Sequence, residues 1–304
     1  MKIERSYKST MTPFELNCGD ELVYTRRNGA TVTIELLKTD AVILEREYGR
    51  YDYGNTQGEI SVYGFSCILR VDGKEIEIHR EVGSQACFYK PVQIDGIHLW
   101  LDAVKCIFDT SFDHHISGGG FLVEKDFLGG HVCMPRQDAR FVIQDAEASV
   151  CPEVMDFWCE LPHGKPRIED CYNGEDCWMG PYGGAFAHCG LDINMPAGSL
   201  LYAPVDLDMQ YYHTTLAAGF NNNRWHGFRH WKDNSIWRIS TSHLIEALVP
   251  EYGPVMRGEA YATTAGTAVG AHQHTHFNFH VTELGGSYFL DPWILFWQML
   301  RDNA

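Results

Sequence analysis

Ten cysteines occur in the chain, yet no two are spaced as CxxC. A zinc knuckle or a thioredoxin-like redox site needs that spacing, so neither is expected. Five of them (Cys151, Cys159, Cys171, Cys177, Cys189) crowd one stretch. An exported protein can form disulfides there, whereas in a reducing compartment they are small buried apolar residues. The start, Met1-Lys2-Ile3-Glu4-Arg5-Ser6-Tyr7-Lys8, has no apolar core of the kind a signal peptide carries. That favours free thiols and a cytoplasmic protein, or else a mature form whose leader was removed. No membrane span is expected either, since even the apolar run Trp293 to Leu300 is far too short. Basic residues are scarce, 24 Lys and Arg against 40 Asp and Glu, a formal net charge of −16. Nucleic acid and anionic membrane surfaces are won by cations that neutralise phosphate, so neither is expected as the main partner. Gly118-Gly119-Gly120 and Gly129-Gly130 precede no strand-to-helix pattern, which argues against a phosphate cradle. No internal repeat is visible.

What is present suffices for real cores: 45% of the 304 residues are hydrophobic and 13% aromatic, enough for two ordinary domains or one large one. From Phe14 to about Ile107 short β-branched and aromatic runs are broken by turn signals. Arg26-Arg27-Asn28-Gly29 and Val71-Asp72-Gly73-Lys74 each separate two such runs, the strongest short-range hairpin signal. This pattern predicts an N-terminal antiparallel β-sandwich within residues 1–150. Arg140-Phe141-Val142-Ile143 reads as a strand that closes the first domain or crosses to the second. Glu160 to Pro166 is rich in breakers and reads as a linker. Residues 151–304 resume the strand pattern at Leu200–Ala203, Met209–Tyr212, Ser235–Ile239 and Glu259–Ala262. Only Pro292–Leu300 looks helical, with Pro292 suited to a first turn. The predicted class is all-β with one short C-terminal helix.

The chemistry concentrates in Ala271-His272-Gln273-His274-Thr275-His276-Phe277-Asn278-Phe279-His280. On a strand, alternation puts His272, His274, His276, Asn278 and His280 on one face and mostly packing residues on the other. A buried imidazole needs hydrogen-bond partners, so a core has no use for so many; a metal site does. The bland alternative is a solvated strand that happens to be rich in histidine. A catalytic zinc takes three protein ligands and keeps one position for water. Two fragments have suitable spacing: His188-Cys189-Gly190-Leu191-Asp192 and His274-Thr275-His276, with Ser242-His243-Leu244 at a strand end between them. Asp113-His114-His115 reads as an exposed loop pair, and His213, His226 and His230 as surface or packing groups. A thiol nucleophile at Cys189 would require His188 to be free of metal.

On these residues the segment from about Ala187 to Pro292 resembles the lysostaphin-like zinc endopeptidases, which cut peptide bonds in bacterial peptidoglycan. His188 to Ile193 matches their H-x-G-x-D-I opening. Pro196-Ala197-Gly198 with Tyr202-Ala203-Pro204 matches the following turn segment, and Ser242-His243-Leu244 stands where an aromatic-x-His-Leu is usual. Val255 to Glu259, Gly266 to Gly270 with His274-Thr275-His276-Phe277, and Asp291-Pro292 complete six matches in order.

The resemblance implies a C-terminal lysostaphin-like antiparallel β-sheet groove with one zinc ion per chain, bound by His188, Asp192 and His276. It implies that His274 and His243 are the catalytic histidines that do not bind metal: His274 as general base toward the attacking water, His243 to stabilise the developing oxyanion or help orient the water. It also implies a peptidoglycan peptide or another peptide as substrate, and a place in the cell envelope or outside the cell. His272 and His280 share the face of the metal pair and read as groove-edge residues or as support behind the ligands, not as ligands. Three departures stand out: Asn278 where the family usually has Glu, Thr241 in place of the aromatic, and Leu207 in place of a turn glycine. Gly219 to Trp231 reads as an enlarged loop, its aromatic and basic side chains either gripping a sugar or acidic peptide or tucking Trp225 and Trp231 onto the sheet. The alternative to an enzyme is a non-catalytic metal- or wall-binding module that uses the same groove. A peptidase-like protein turned to an intracellular peptide is a third reading.

Overall fold

The computed structural model describes residues 1–53, 56–82, 90–105, 135–147, 159–160, 190–213, 223–264, 274–283 and 286–300. Expectations for residues 106–108, Asp113 to His115, the glycine runs, His188, His272, most of the linker and most of the crowded cysteines lie outside them. Cys18 and Cys67 are free thiols.

The fold is all-β with one short helix. A first sheet contains β1 (Lys2–Ser6), β3 (Glu21–Thr25), β4 (Thr31–Tyr53), β5 (Thr56–Val71) and β6 (Lys74–Val82), in that order. Its β1–β3 pair is parallel and the rest antiparallel. The β5–β6 turn sits at Asp72 and Gly73, both at positive φ (45° and 85°), as a tight hairpin of primed type requires. Short strands were expected throughout; β4 and β5 instead form one long hairpin, with register shifts along it.

A second sheet contains β2 (Thr12–Leu16), β9 (Ala139–Asp145), β8 (Ile97–Val104) and β7 (Val92–Ile94). The Arg140–Ile143 strand is therefore in place, between β2 and β8. Every residue of β2, β8 and β9 is buried. Strands covered on both faces carry near-continuous apolar runs, which is what Ile97-His98-Leu99-Trp100-Leu101 displays. Alternation then divides the strand between two cores: Leu99, Leu101, Phe141 and Ile143 join the cluster beneath the first sheet, while Trp100, Val142 and Met11 join the cluster beneath the third.

The third sheet is ten-stranded. Its path runs β10 (Cys159–Glu160), β12 (Leu200–Tyr202), β17 (Ala260–Thr264), β15 (Ile236–Ala247), β14 (Asn223–His230), β13 (Leu207–His213) and β16 (Tyr252–Val255). Beside it, β18 (His274–Glu283) pairs with β11 (Leu191–Asn194), β15 and β19 (Gly286–Leu290). Residues 223–230 are thus a strand, not part of an enlarged loop. Their alternation is plain once the pairs are known: Trp225 and Gly227 are buried while Arg224, His226 and Phe228 face outward. Trp225 stacks on Tyr261 with ring centroids 3.7 Å apart, and a side chain at Gly227 would collide with the Trp225 ring.

Helix α1 (Trp293–Leu300) closes the second core. Asp291 caps it, accepting the Trp293 amide hydrogen at 2.9 Å, with Pro292 at the first turn as expected. The same carboxylate accepts from Arg80 of β6, whose guanidinium also donates to the Asp102 carbonyl. The Asp102 carboxylate in turn accepts the Asp291 amide at 2.9 Å and Arg140 Nε at 2.5 Å. Trp297 packs edge-on against His98 and Trp100, at 5.0 and 5.2 Å.

Candidate functional site

One edge of β15 changes partner midway. From Ile236 to Ser242 it pairs with β18; from Leu244 to Ala247 it pairs with β17. Across the opposite edge Arg224 faces Ser242 and Asn223 faces Leu244, so His243 is the extra residue of a β-bulge. Its φ is +64°, a left-handed conformation that a side chain other than glycine rarely takes. Simple alternation would turn His243 into the core beside Ile239 and Thr241. The bulge turns it out instead. The carbonyls on either side are held by side chains: Ser242 O accepts from Thr275 Oγ1 at 2.8 Å, and Leu244 O from Asn223 Nδ2 at 2.9 Å. His243 was expected at a strand end; it lies within a strand, and the bulge does the re-aiming that an end would have done.

The redirected ring meets the histidines of β18. His243 is edge-on to His274 at 4.8 Å between ring centroids, and 6.3 Å from His276. His274 is buried (2% exposed), whereas His276, Asn278 and His280 are partly exposed along the same face. Thr275, Phe277 and Phe279 on the other face are fully buried. Residue 192 on β11 stands in register directly opposite His276, and Ser242 stands opposite it on the other side. Directly opposed antiparallel positions have Cβ atoms about 4.5–5.5 Å apart.

Gly190 accounts for the glycine of the opening motif. A Cβ there would lie 2.6 Å from His276 Nε2 and from the Phe277 carbonyl oxygen, and 2.7 Å from Asn278 Nδ2. Only a residue without a side chain lets the approach to β11 pass this close. Asn278 Nδ2 is 3.0 Å from His276 Nε2, so the residue that departs from the family pattern supports the ring. Thr241, the second departure, is buried and accepts a hydrogen bond from Tyr261 Oη at 3.2 Å. Leu207, the third, is buried at the start of β13 against the Gly227 backbone.

The structure therefore brings His243, His274 and His276 together, with position 192 in register beside them. His188 and the Asp192 side chain lie outside the described residues. Among the described residues no three His, Cys, Asp or Glu side chains group tightly enough to hold a metal.

The floor continues away from the histidines. His226 Nδ1 lies 2.7 Å from Ser240 Oγ, and its ring packs on Tyr211 at 4.7 Å. His280 Nε2 lies 2.8 Å from Ser287 Oγ, with Phe289 at 4.6 Å. Burial lowers the pKa of both rings to about 4, helped by the neighbouring Arg238 charge. Both are neutral at pH 7. Sequence reasoning treated His226 as packing and missed the floor it belongs to. The alternation of Arg224, His226 and Phe228 against Trp225 and Gly227 was the available signal.

No family model and no curated protein matches the chain. Solved structures do. Lysostaphin in solution is 21% identical at a TM-score of 0.32 over 40% of this chain; the match spans 48%, about half, of that protein. The catalytic domain of the antimicrobial peptidase lysostaphin from Staphylococcus simulans is 21% identical at a TM-score of 0.31, over 39% of this chain and 84% of that one. A zinc containing peptidase from Vibrio cholerae is 13% identical at 0.34, over 86% and 85%. TM-scores of this size carry no claim about chemistry, which rests on the side chains. In its motifs, and in these partial structural likenesses, the chain is similar to the lysostaphin-like peptidases.

Proposed function

We propose that the chain is a zinc-dependent endopeptidase acting on peptidoglycan peptides, with residues 151–304 as the catalytic domain and residues 1–150 as a β domain attached to it. The observation that carries this reading is the bulge at His243. A strained backbone and a broken alternation are retained where they place an imidazole beside His274 and His276, and a merely structural histidine has no need of either.

The donors fit the ion. His188, Asp192 and His276 supply two imidazoles and a carboxylate, an ordinary ligand set for catalytic zinc. The Asn278 amide at His276 Nε2 is the outer support such a ligand needs, and it leaves Nδ1 for the metal. With the proton on Nε2, the Asn278 amide accepts it through its oxygen, the amide rotated by half a turn from the orientation with Nδ2 at Nε2. Bound there, zinc supplies Lewis acidity and lowers the pKa of water toward 7. The protein's own part is proton handling and positioning. His274, buried and without an exposed face to lose protons to bulk water, takes the proton from the attacking water and passes it to the leaving amine. His243, held by the bulge, donates a hydrogen bond to the oxyanion as it forms. The sheet floor holds the peptide extended.

Release of soluble peptides from whole sacculi, followed by mass analysis, tests this reading. Wild type releases fragments with new peptide ends, and His274→Ala retains its zinc but releases none. Wild type inert on sacculi and on glycyl and D-alanyl peptides would favour the binding module instead.

A further inference from the structure

Beyond the histidines the same sheet face holds a cation with no counter-charge among the described residues. Arg238 lies on the floor face of β15, opposite His280 on one side and Phe228 on the other. Its guanidinium sits over the Phe289 ring, 5.1 Å from the centroid. Its Nε is shielded from solvent and has no hydrogen-bond partner among the described residues. Among the described residues it enters no ion pair, although the chain has 40 Asp and Glu for 24 Lys and Arg. Elsewhere buried arginines are matched: Arg80 with Asp291, Arg140 with Asp102. Half-burying a guanidinium without a partner costs free energy, and the neutral rings of His280 beside it and His226 diagonal to it supply no counter-charge. With no acid beside it among the described residues, its planar fork of donors has the shape and charge that match a carboxylate.

We infer that Arg238 is a specificity-determining residue of the groove, and that the ligand is a peptide bearing a carboxylate that pairs with it. This deepens the peptidase reading and rests on it. Arg238 lies four positions along β15 from Ser242, which faces His276. That is about 14 Å at roughly 3.4 Å per residue. An extended peptide lying along the strands therefore carries its carboxylate about four residues from the bond at the histidines.

The test uses the full chain with His274→Ala, so that bound peptides stay intact, and N-acetylated alanine-glycine octapeptides read by fluorescence anisotropy. In one arm a single glutamate is walked through an amidated peptide, each compared with its glutamine isostere. In the other arm the only carboxylate is a free C-terminus, walked by truncation. The two arms separate a side-chain from a terminal carboxylate. The expected result is a preference of about tenfold or more for the acid at one position, as a charge-assisted hydrogen bond supplies. Adding Arg238→Gln collapses that preference to near unity, and Arg238→Lys keeps a part of it. Acid and amide bound equally, or a preference that survives Arg238→Gln, would overturn the inference. If Arg238→Gln fails to fold, an undiminished preference in Arg238→Lys overturns it and a reduced one supports it. Hydrolysis by wild type is read separately: a preference for acid with no cleavage of these peptides or of sacculi counts against the peptidase reading, while the pairing of Arg238 with a carboxylate is judged by the binding arms alone.

Discussion

His243 and Gly190 carry opposite backbone demands, and each makes a prediction that a generic strand residue would not. The left-handed φ of His243 costs about 1–2 kcal/mol for any residue with a Cβ. His243→Gly should therefore be more stable than His243→Ala by about 1 kcal/mol in urea unfolding, the reverse of the order in a regular strand. Both variants should lose hydrolysis. At Gly190 the constraint is space. Gly190→Ala pushes a methyl group against His276 Nε2 and the Phe277 carbonyl, so the variant should fold yet bind zinc at least several-fold more weakly by competition with a chelator. Zinc affinity equal to wild type would show that β11 can move away without disturbing His276. The histidines were legible in the sequence because a run of alternate imidazoles has few uses. Arg238 was not, since its significance lies in a missing partner, and a missing partner can be seen only once the fold is known.

Among the elements, β14 and α1 support the site: β14 pairs with β15, and Phe296 of α1 packs on Phe277 of β18 at 5.1 Å. Trp225 of β14 is fully buried and stacked on Tyr261, so Trp225→Ala should cost about 3–5 kcal/mol by chemical denaturation. The cap of α1 is tied to β6 by Arg80, whose side chain, like that of Asp291, is almost wholly buried. Removing one member leaves a buried charge, and Arg80→Ala should destabilise by about 3–5 kcal/mol. Most strands were readable from alternation and turn residues: the Asp72-Gly73 hairpin, the Arg140 strand and the histidine strand all stand where expected. Residues 223–230 were not read as a strand because the run Asn221-Asn222-Asn223 at their start and Gly227 within them mask an alternation that needs β13 and β15 on either side to make sense. The length of β4 and β5 was missed for a related reason. Gly64 and the charged positions of residues 38–47 read as interruptions, yet register shifts absorb them within one hairpin.

For the whole molecule, the acidic balance meets a sheet face on which His226 and His280 are neutral and Arg238 is cationic. His226 and His280 have pKa values lowered to about 4 in the folded chain, against about 6.5 when unfolded. Between those values unfolding takes up a proton at each, so their contribution makes stability rise with pH from about 4 to 6.5 and level off above. Urea midpoints across that range should show the rise, and the double variant His226→Gln, His280→Gln should show a flatter one. Net charge, the absence of a long apolar helix among the described residues and the all-β class were all legible from composition and pattern. The way one sheet serves two cores was not, because Ile97–Leu101 gives the same apolar run whichever partner covers each face.

Residues 188, 192 and 276 are proposed to meet on one zinc ion beside His274 and His243. Elemental analysis of the purified full chain tests this most directly. The account predicts about one zinc per chain in wild type and in His274→Ala, and almost none in Asp192→Ala or His276→Ala. Zinc content unchanged by Asp192→Ala would contradict it.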